Sequence, residues 1–386
     1  MLFLKNPCNI YITLWCLYNL QGALYTQGGW LSRIILLALL LWSIYYFVVT
    51  ILNFKLPVFL KLLAGLVFIF VLYGLIPIVT GSGFGGINSF EYLKQILMSL
   101  LTVYVFYYYT RKGYLTEGLL KKWAIVFFFV AIGIFYYDQS VRLEQTTAEG
   151  ITSKKSYVIL TLIPLIPLFY KKPVIQYVMM GVVMLFLLMG VKRGALIIGA
   201  VAETWLLINI LFVDNGKKNN FVRIVLTVAL VFATIYTVEY FISTNDYFNY
   251  RLEQTLEGDS SSRDEIYKNG LDVLLGGDSV LNLLFGYGAY GTRKTLGIYA
   301  HNDWLEIGIN NGIIVLLLYF IYWLQFFKYS RKSRHYKVLH QVIALFFIIY
   351  FTKSFFSMSY STYTIFSTSV LGFAICDMES QRNLQS

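Results

Sequence analysis

The chain has 386 residues, of which 58% are hydrophobic and 13% charged, with a mean hydropathy of +0.65 and a net charge of +11. A soluble domain carries roughly 25% charged residues, so a water-soluble fold is hard to sustain at this composition. The basic residues sit mainly in short segments between apolar runs, which points to lipid headgroups and membrane insertion rather than to nucleic acid.

The apolar runs approach or exceed the roughly 20 residues that a membrane helix needs. In chain order they predict twelve spans, at 10–25, 34–51, 56–79, 90–109, 119–137, 157–170, 173–190, 194–213, 221–242, 304–327, 338–357 and 361–377. The first and sixth are short, and the sixth carries Pro164 and Pro167. The expectation is an all-α, polytopic membrane protein forming one domain over 1–386, without a cleaved leader. Tyr and Trp at span ends (Trp30, Tyr107 to Tyr109, Tyr136, Tyr137, Trp304, Trp323) fit the aromatic belts of a bilayer. With both termini in the cytoplasm, the inner segments hold 18 of the 31 basic residues, including Lys55, Lys61, Arg111, Lys328, Lys332 and Arg382. Five of the remaining basic residues fall in one long outer loop, where they weigh less. Three cysteines, Cys8, Cys16 and Cys376, have neither metal-type nor disulfide-framework spacing.

Two outer segments are long, a polar loop at 138–156 and a larger one at 243–303. In the larger, Ser260 to Ser262 can cap a helix whose first turn carries Asp264 and Glu265. Ile266, Tyr267, Gly270, Leu271, Leu274 and Leu275 then recur at helical spacing. This predicts an amphipathic helix over about 262–275, lying along the outer membrane face. A short apolar piece from Val280 to Phe285 follows and leads into the turn-forming Gly286-Tyr287-Gly288.

Few residues can carry chemistry. His301, at the entry from the long loop into the span at 304–327, can accept a proton near neutral pH and suits general-base work. Asn302 and Asp303 beside it could orient the imidazole. Lys192-Arg193 interrupts two apolar runs with hardly any loop; an intramembrane Arg costs about 2.5–3.5 kcal/mol on insertion scales, so the pair must reach the interface or a wet cavity. Lys192 reads equally as a snorkelling turn residue, while Arg193, against Gly194 and Ala195, offers paired donors to phosphate oxygens. Arg263 at the start of the predicted loop helix would strengthen an anion site, or else pair with Asp259 or Asp264. Glu203 lies inside an apolar run and is a functional suspect by position, whereas Glu306 and Lys353 stand near span ends where they can snorkel. There is no DxD pair, HExxH, Walker A loop or glycine-rich dinucleotide motif.

Three pieces in order resemble the O-antigen ligase and polymerase superfamily of bacterial envelope proteins. They are Lys192-Arg193-Gly194-Ala195-Leu196, then Ser262 to Tyr267 with Phe285-Gly286-Tyr287-Gly288, then Ala300 to Leu305 with Glu306 and Gly312. The resemblance covers about 190–325, and the N-terminal half is similar only in hydropathy. It implies a C-type glycosyltransferase in the bacterial inner membrane with its active site on the periplasmic side. The donor would be an undecaprenyl-diphosphate-linked glycan and the acceptor a glycan or lipid A-core, with no metal or nucleotide cofactor at the transfer step. Arg193 and Arg263, with Lys192 beside them, would hold the diphosphate; His301 would be the catalytic base, with Asn302, Asp303 and Tyr287 in support. A polymerase of O-antigen or capsule repeat units is expected, working with a flippase and a chain-length regulator. A ligase is the alternative within the class. A polysaccharide flippase or other twelve-span transporter is the competing class, which would tend to show repeat symmetry and broken helices near the midplane.

Overall fold

A computed structural model describes residues 5–80, 89–145, 155–213, 220–257, 263–276 and 279–385. Every regular element among them is a helix. Helix α1 (Pro7–Asn19) starts where the Asn6 side chain accepts from the Cys8 amide at 2.9 Å, with proline in the first turn. It is followed by α2 (Trp30–Asn53) and α3 (Val58–Thr80). The run expected as one span at 90–109 is two helices, α4 (Ser89–Leu100) and α5 (Thr102–Arg111). At the joint, Ser99 and Thr102 hydroxyls bond back to carbonyls of the preceding turn, a competition that bends helices.

Helix α6 (Glu117–Gln145) runs past its expected end at 137, because Asp138 to Gln145 hold no glycine or proline to stop it and are mostly polar residues compatible with helix outside the apolar run. The run at 157–170 is α7 (Ser156–Leu160) and then a 3₁₀ segment, Ile163–Phe169. Pro164 and Pro167 lack the amide donors that an α-helix would use there. Next come α8 (Pro173–Met189), α9 (Arg193–Ile208) with a π turn at Asn209–Val213, and α10 (Asn220–Thr244). The described residues of the long loop form α11 (Asp246–Leu256), α12 (Arg263–Leu275), α13 (Val280–Phe285) and α14 (Gly291–Leu296). The expected cap at Ser260 to Ser262 lies outside the described residues. The chain ends in α15 (Asp303–Lys332), α16 (Lys337–Phe356) and α17 (Ile365–Gln385).

Among the described residues, seven helices are long and apolar enough to cross a membrane: α2, α3, α6, α9 with its π turn, α10, α15 and α16. The stretches 156–169 and 173–189 are apolar but shorter. Helix α10 packs mainly on α8 and exposes Phe221, Phe232, Tyr236 and Tyr240. So much exposed apolar surface is tolerable in lipid and not in water. The protein is a polytopic, all-helical membrane protein.

Between apolar helices in lipid, close backbone approach and hydroxyl bonds hold the bundle together. Gly372 on α17 meets α5 so closely that a Cβ there would lie 2.6 Å from the Val103 carbonyl oxygen. Thr102 bonds Thr368 across the same pair at 2.9 Å, Tyr11 joins Ser43 at 2.7 Å, and Tyr350 joins Ser367 at 2.6 Å. The aromatic-belt expectation is corrected at several positions. Tyr107, Tyr109 and Trp323 are buried in the core, where Tyr109 accepts a hydrogen bond from the Trp42 indole and Trp323 stacks on Phe326. Their rings fill space between helices, a use that frequency and position in the sequence do not separate from interfacial anchoring.

Candidate functional site

The segment from Tyr299 to Asn311 is built around two carboxylates. Asn302 caps α15, its side-chain oxygen accepting from the amides of Trp304 at 2.9 Å and Leu305 at 3.2 Å. Asp303 points inward and is fully buried. One of its oxygens accepts from the Ser359 amide at 2.7 Å; the other accepts from the Tyr319 hydroxyl, the Ser359 hydroxyl and the Tyr360 amide, at 2.7, 2.6 and 3.1 Å. Both oxygens are thereby committed to α15 and the α16–α17 loop. Glu306, one turn on, accepts from the Thr292 hydroxyl at 2.6 Å, the Ala300 amide at 2.7 Å and the Asn310 amide at 3.2 Å. Asn310 in turn accepts from the Thr292 amide at 2.8 Å. This network fastens α14 and the turn before α15 to α15 itself.

Snorkelling of Glu306 and Lys353 is corrected by the structure. Both are buried, because each has partners inside that solvate it better than a strained reach to the interface. Lys353 donates to the Thr362 hydroxyl and lies 5.0 Å from the Tyr157 ring centre and 5.9 Å from that of Tyr350. Asp303 is a charge partner within its electrostatic reach.

Helix α15 breaks at Gly312, whose φ of 82° and ψ of 173° belong to glycine almost alone. The break frees carbonyls that the loop then uses: Tyr287 and Gly288 amides donate to Ile309 and Asn310 oxygens at 2.8 and 2.9 Å. The Tyr73 hydroxyl closes the other side on the Phe285 carbonyl at 2.6 Å. Side chains at Gly286 or Gly312 would run into backbone 2.5 and 2.2 Å away, so the expected Gly286-Tyr287-Gly288 turn is a docking joint. Tyr287 is half-buried in it and contributes through its backbone.

The sequence-derived candidates lie around the C-terminal end of α16. Lys192 is the N-cap and Arg193 the first residue of α9, both half-buried, after a turn in which Val191 has a φ of 47°. The next residue, Gly194, is so close to α7 that a Cβ would meet the Tyr157 hydroxyl at 2.6 Å, with Phe356 at 3.8 Å. Tyr157 Oη is buried beside Ser357 without completing a hydrogen bond among the described residues. Arg263 is half-buried, and its charge reaches the phenols of both Tyr157 and Tyr267. Burial pushes the Tyr267 phenol above its ordinary range, against the pull of Arg263 and an Asn302 hydrogen bond. Tyr267 and Asn302 both donate to the Phe355 carbonyl, at 3.0 and 3.4 Å.

His301 is exposed at this same end, with a φ of 53° and the Tyr299 ring 6.5 Å away. Three non-glycine residues have positive φ among the described residues, and Val191 and His301 are two of them. Such backbone is sparsely populated and persists where packing enforces it, a pattern found at working sites. Glu203 stays apart from this cluster in sequence, two turns along α9 from Gly194. It is buried, with Oε1 lacking a hydrogen-bond partner among the described residues.

No known family, no curated protein and no solved structure matches this chain.

The geometry therefore stands on its own chemistry. Basic side chains from α9 and α12, a buried phenol and an exposed imidazole share one end of the bundle. That set can bind an oxyanion and move a proton. Thr292, Tyr319 and Ser359 are structural participants that sequence reading missed, and Lys353 is one it assigned to snorkelling. Lys353 carried a signal, since a cation inside an apolar run needs a partner. Glu306, Asn310 and Asn311, on adjacent turns of an apolar helix, carried another.

Proposed function

We propose that the protein is an inverting membrane glycosyltransferase that joins polyprenyl-diphosphate-linked repeat units on the outer face of the inner membrane, as a polymerase of O-antigen or capsule. One observation carries the reading: the α9 turn with Arg193, the α12 start with Arg263, and the segment bearing His301 all meet at residues 353–357, through Tyr157, Tyr267 and Asn302. On this reading the donor diphosphate rests on Arg193 and Arg263, with Lys192 at its edge. A diphosphate leaving group gains charge as the glycosidic bond breaks, and fixed guanidiniums in a low-dielectric crevice stabilise it.

His301 takes the proton of the acceptor hydroxyl as that oxygen attacks the anomeric carbon, and the diphosphate departs with the bonding electrons. General-base help is worth typically 10²–10⁴-fold. Asp303 and Glu306 hold the start of α15 in place, and Asn302 caps it, so the imidazole sits on a rigid base. Twelve crossings, with the basic helix ends in the cytoplasm, complete this reading.

The test is glycan synthesis in cells lacking the native gene. His301→Ala should insert at normal levels and make no long chains, since the side chain is exposed and removing it opens no core cavity. Long chains built by that variant would sink the assignment. Deletion should abolish the ladder of glycan lengths; finished glycan stranded on its lipid carrier would instead mark a ligase.

A further inference from the structure

At the opposite end of α15 from His301 lies a cavity of about 690 Å³ that the transferase reading does not use. It opens where α2, α5, α15 and α17 end and α3 begins. Lys55, Lys61, Arg111, Lys328, Lys332 and Arg382 line it, against a single carboxylate, Glu379. Glu379 accepts a hydrogen bond from the Tyr329 hydroxyl at 3.0 Å. None of the six cations is in an ion pair among the described residues.

Two ordinary explanations cover part of this. Membrane insertion favours basic residues on the cytoplasmic side, and cations near helix C-termini meet the negative ends of helix dipoles. Lys55, Arg111, Lys328, Lys332 and Arg382, all at or beside helix C-termini, have that second excuse; Lys61 does not. Lys61 is in the first turn of α3, where the dipole disfavours a cation and favours an anion. Insertion rules also do not require the charges to ring one cavity. Elsewhere on this face Lys121 is neutralised by Glu117 and stacks over Tyr170. The cations around the cavity repel one another across a space large enough for a ligand.

We propose that this cavity is a binding site for a phosphate-bearing anion, gripped chiefly by Lys55, Lys61 and Lys328. Phe54, Leu56, Pro57 and Val58 form an apolar wall beside the cations, and Val58 is exposed. The phosphoryl group has two possible sources: the headgroup of an anionic lipid entering sideways, or a soluble phosphate. The site is independent of the chemistry at His301.

The test uses the full-length protein in neutral detergent and phosphate-free buffer. Thermal unfolding is followed with added phosphatidylglycerol, phosphatidylcholine or inorganic phosphate. The comparison is among the wild type, the triple variant Lys55→Gln/Lys61→Gln/Lys328→Gln, and a control with equal charge change off the cavity, Lys122→Gln/Lys171→Gln/Lys172→Gln. Near a membrane each cation contributes about a factor of five, so the triple variant should bind on the order of a hundredfold more weakly. The control should match the wild type.

Stabilisation by phosphatidylglycerol alone assigns the site to a lipid headgroup, and stabilisation by inorganic phosphate as well assigns it to soluble phosphate. No stabilisation of the wild type, or equal stabilisation of the triple variant, overturns the proposal. Should the triple variant fail to fold, the single variants Lys61→Gln and Lys328→Gln each carry the same comparison, with about a fivefold loss expected.

Discussion

Replacing Gly312 by alanine tests how the long loop is held to the membrane helix. The φ of 82° and ψ of 173° would be forced on a residue with a Cβ, a strain of about 1–3 kcal/mol. That Cβ would also lie 2.2 Å from the Leu284 oxygen and 2.5 Å from the Phe285 nitrogen, and these are backbone atoms that cannot rotate away. Relief requires α13 to lift, which weakens the Tyr287 and Gly288 amide bonds to α15, each worth about 0.5–1.5 kcal/mol. We expect local opening to become easier by about 2–4 kcal/mol, taking the lower part of that sum because α13 can shift without full detachment. At 1.36 kcal/mol per factor of ten, hydrogen exchange at the Tyr287 and Gly288 amides should accelerate by about 30- to 1000-fold. Gly65→Ala is the control: its Cβ meets nothing within 4 Å, and alanine should be neutral or stabilising by up to about 1 kcal/mol there. Unchanged exchange across 279–291 in Gly312→Ala would refute the reasoning, because the break would then not depend on glycine.

The buried carboxylate offers a second measurement. Asp303→Ala leaves the Ser359 and Tyr360 amides without their acceptor, and should lower stability in detergent by about 1–3 kcal/mol for each stranded amide. Lys353→Met should cost less in an Asp303→Asn background than in the wild type, with a coupling of about 0.5–3 kcal/mol; strict additivity would show that the two charges do not interact. On the proposed transferase reading, Gly194→Val should drive the Tyr157 phenol away and depress glycan synthesis at normal expression, whereas Gly118→Ala, with open space around it, should be silent. A lipid-soluble photolabel should mark Phe232 and Tyr236 on α10 and spare the buried Tyr104 and Tyr350; labelling of all four would mean the bundle is loosely packed.

Hydropathy and helical spacing alone were enough to recognise a membrane protein, to place most of its apolar runs, and to find the loop helix at 263–275 and the piece at 280–285, but not the break at 101, the 3₁₀ segment at 163–169 or the helices at 246–256 and 291–296. It worked because the bilayer imposes a length and a composition on each element, and both can be read locally. Arg193, Arg263 and His301 were singled out because polar residues in an apolar chain have few ordinary uses. What the partners are was not readable. Asp303 meets Ser359 and Tyr360 from 56 and 57 residues away, and Gly194 meets Tyr157 across two helices. Nothing near Trp323 or Tyr109 in the chain says that the ring turns inward. Such pairings depend on which helix faces which, a choice set by packing of whole surfaces in a medium where apolar side chains gain nothing from mere contact with one another. The local pattern decided what each segment is; the assembled bundle decided whether Glu306 and Lys353 face lipid headgroups or each end in a buried network.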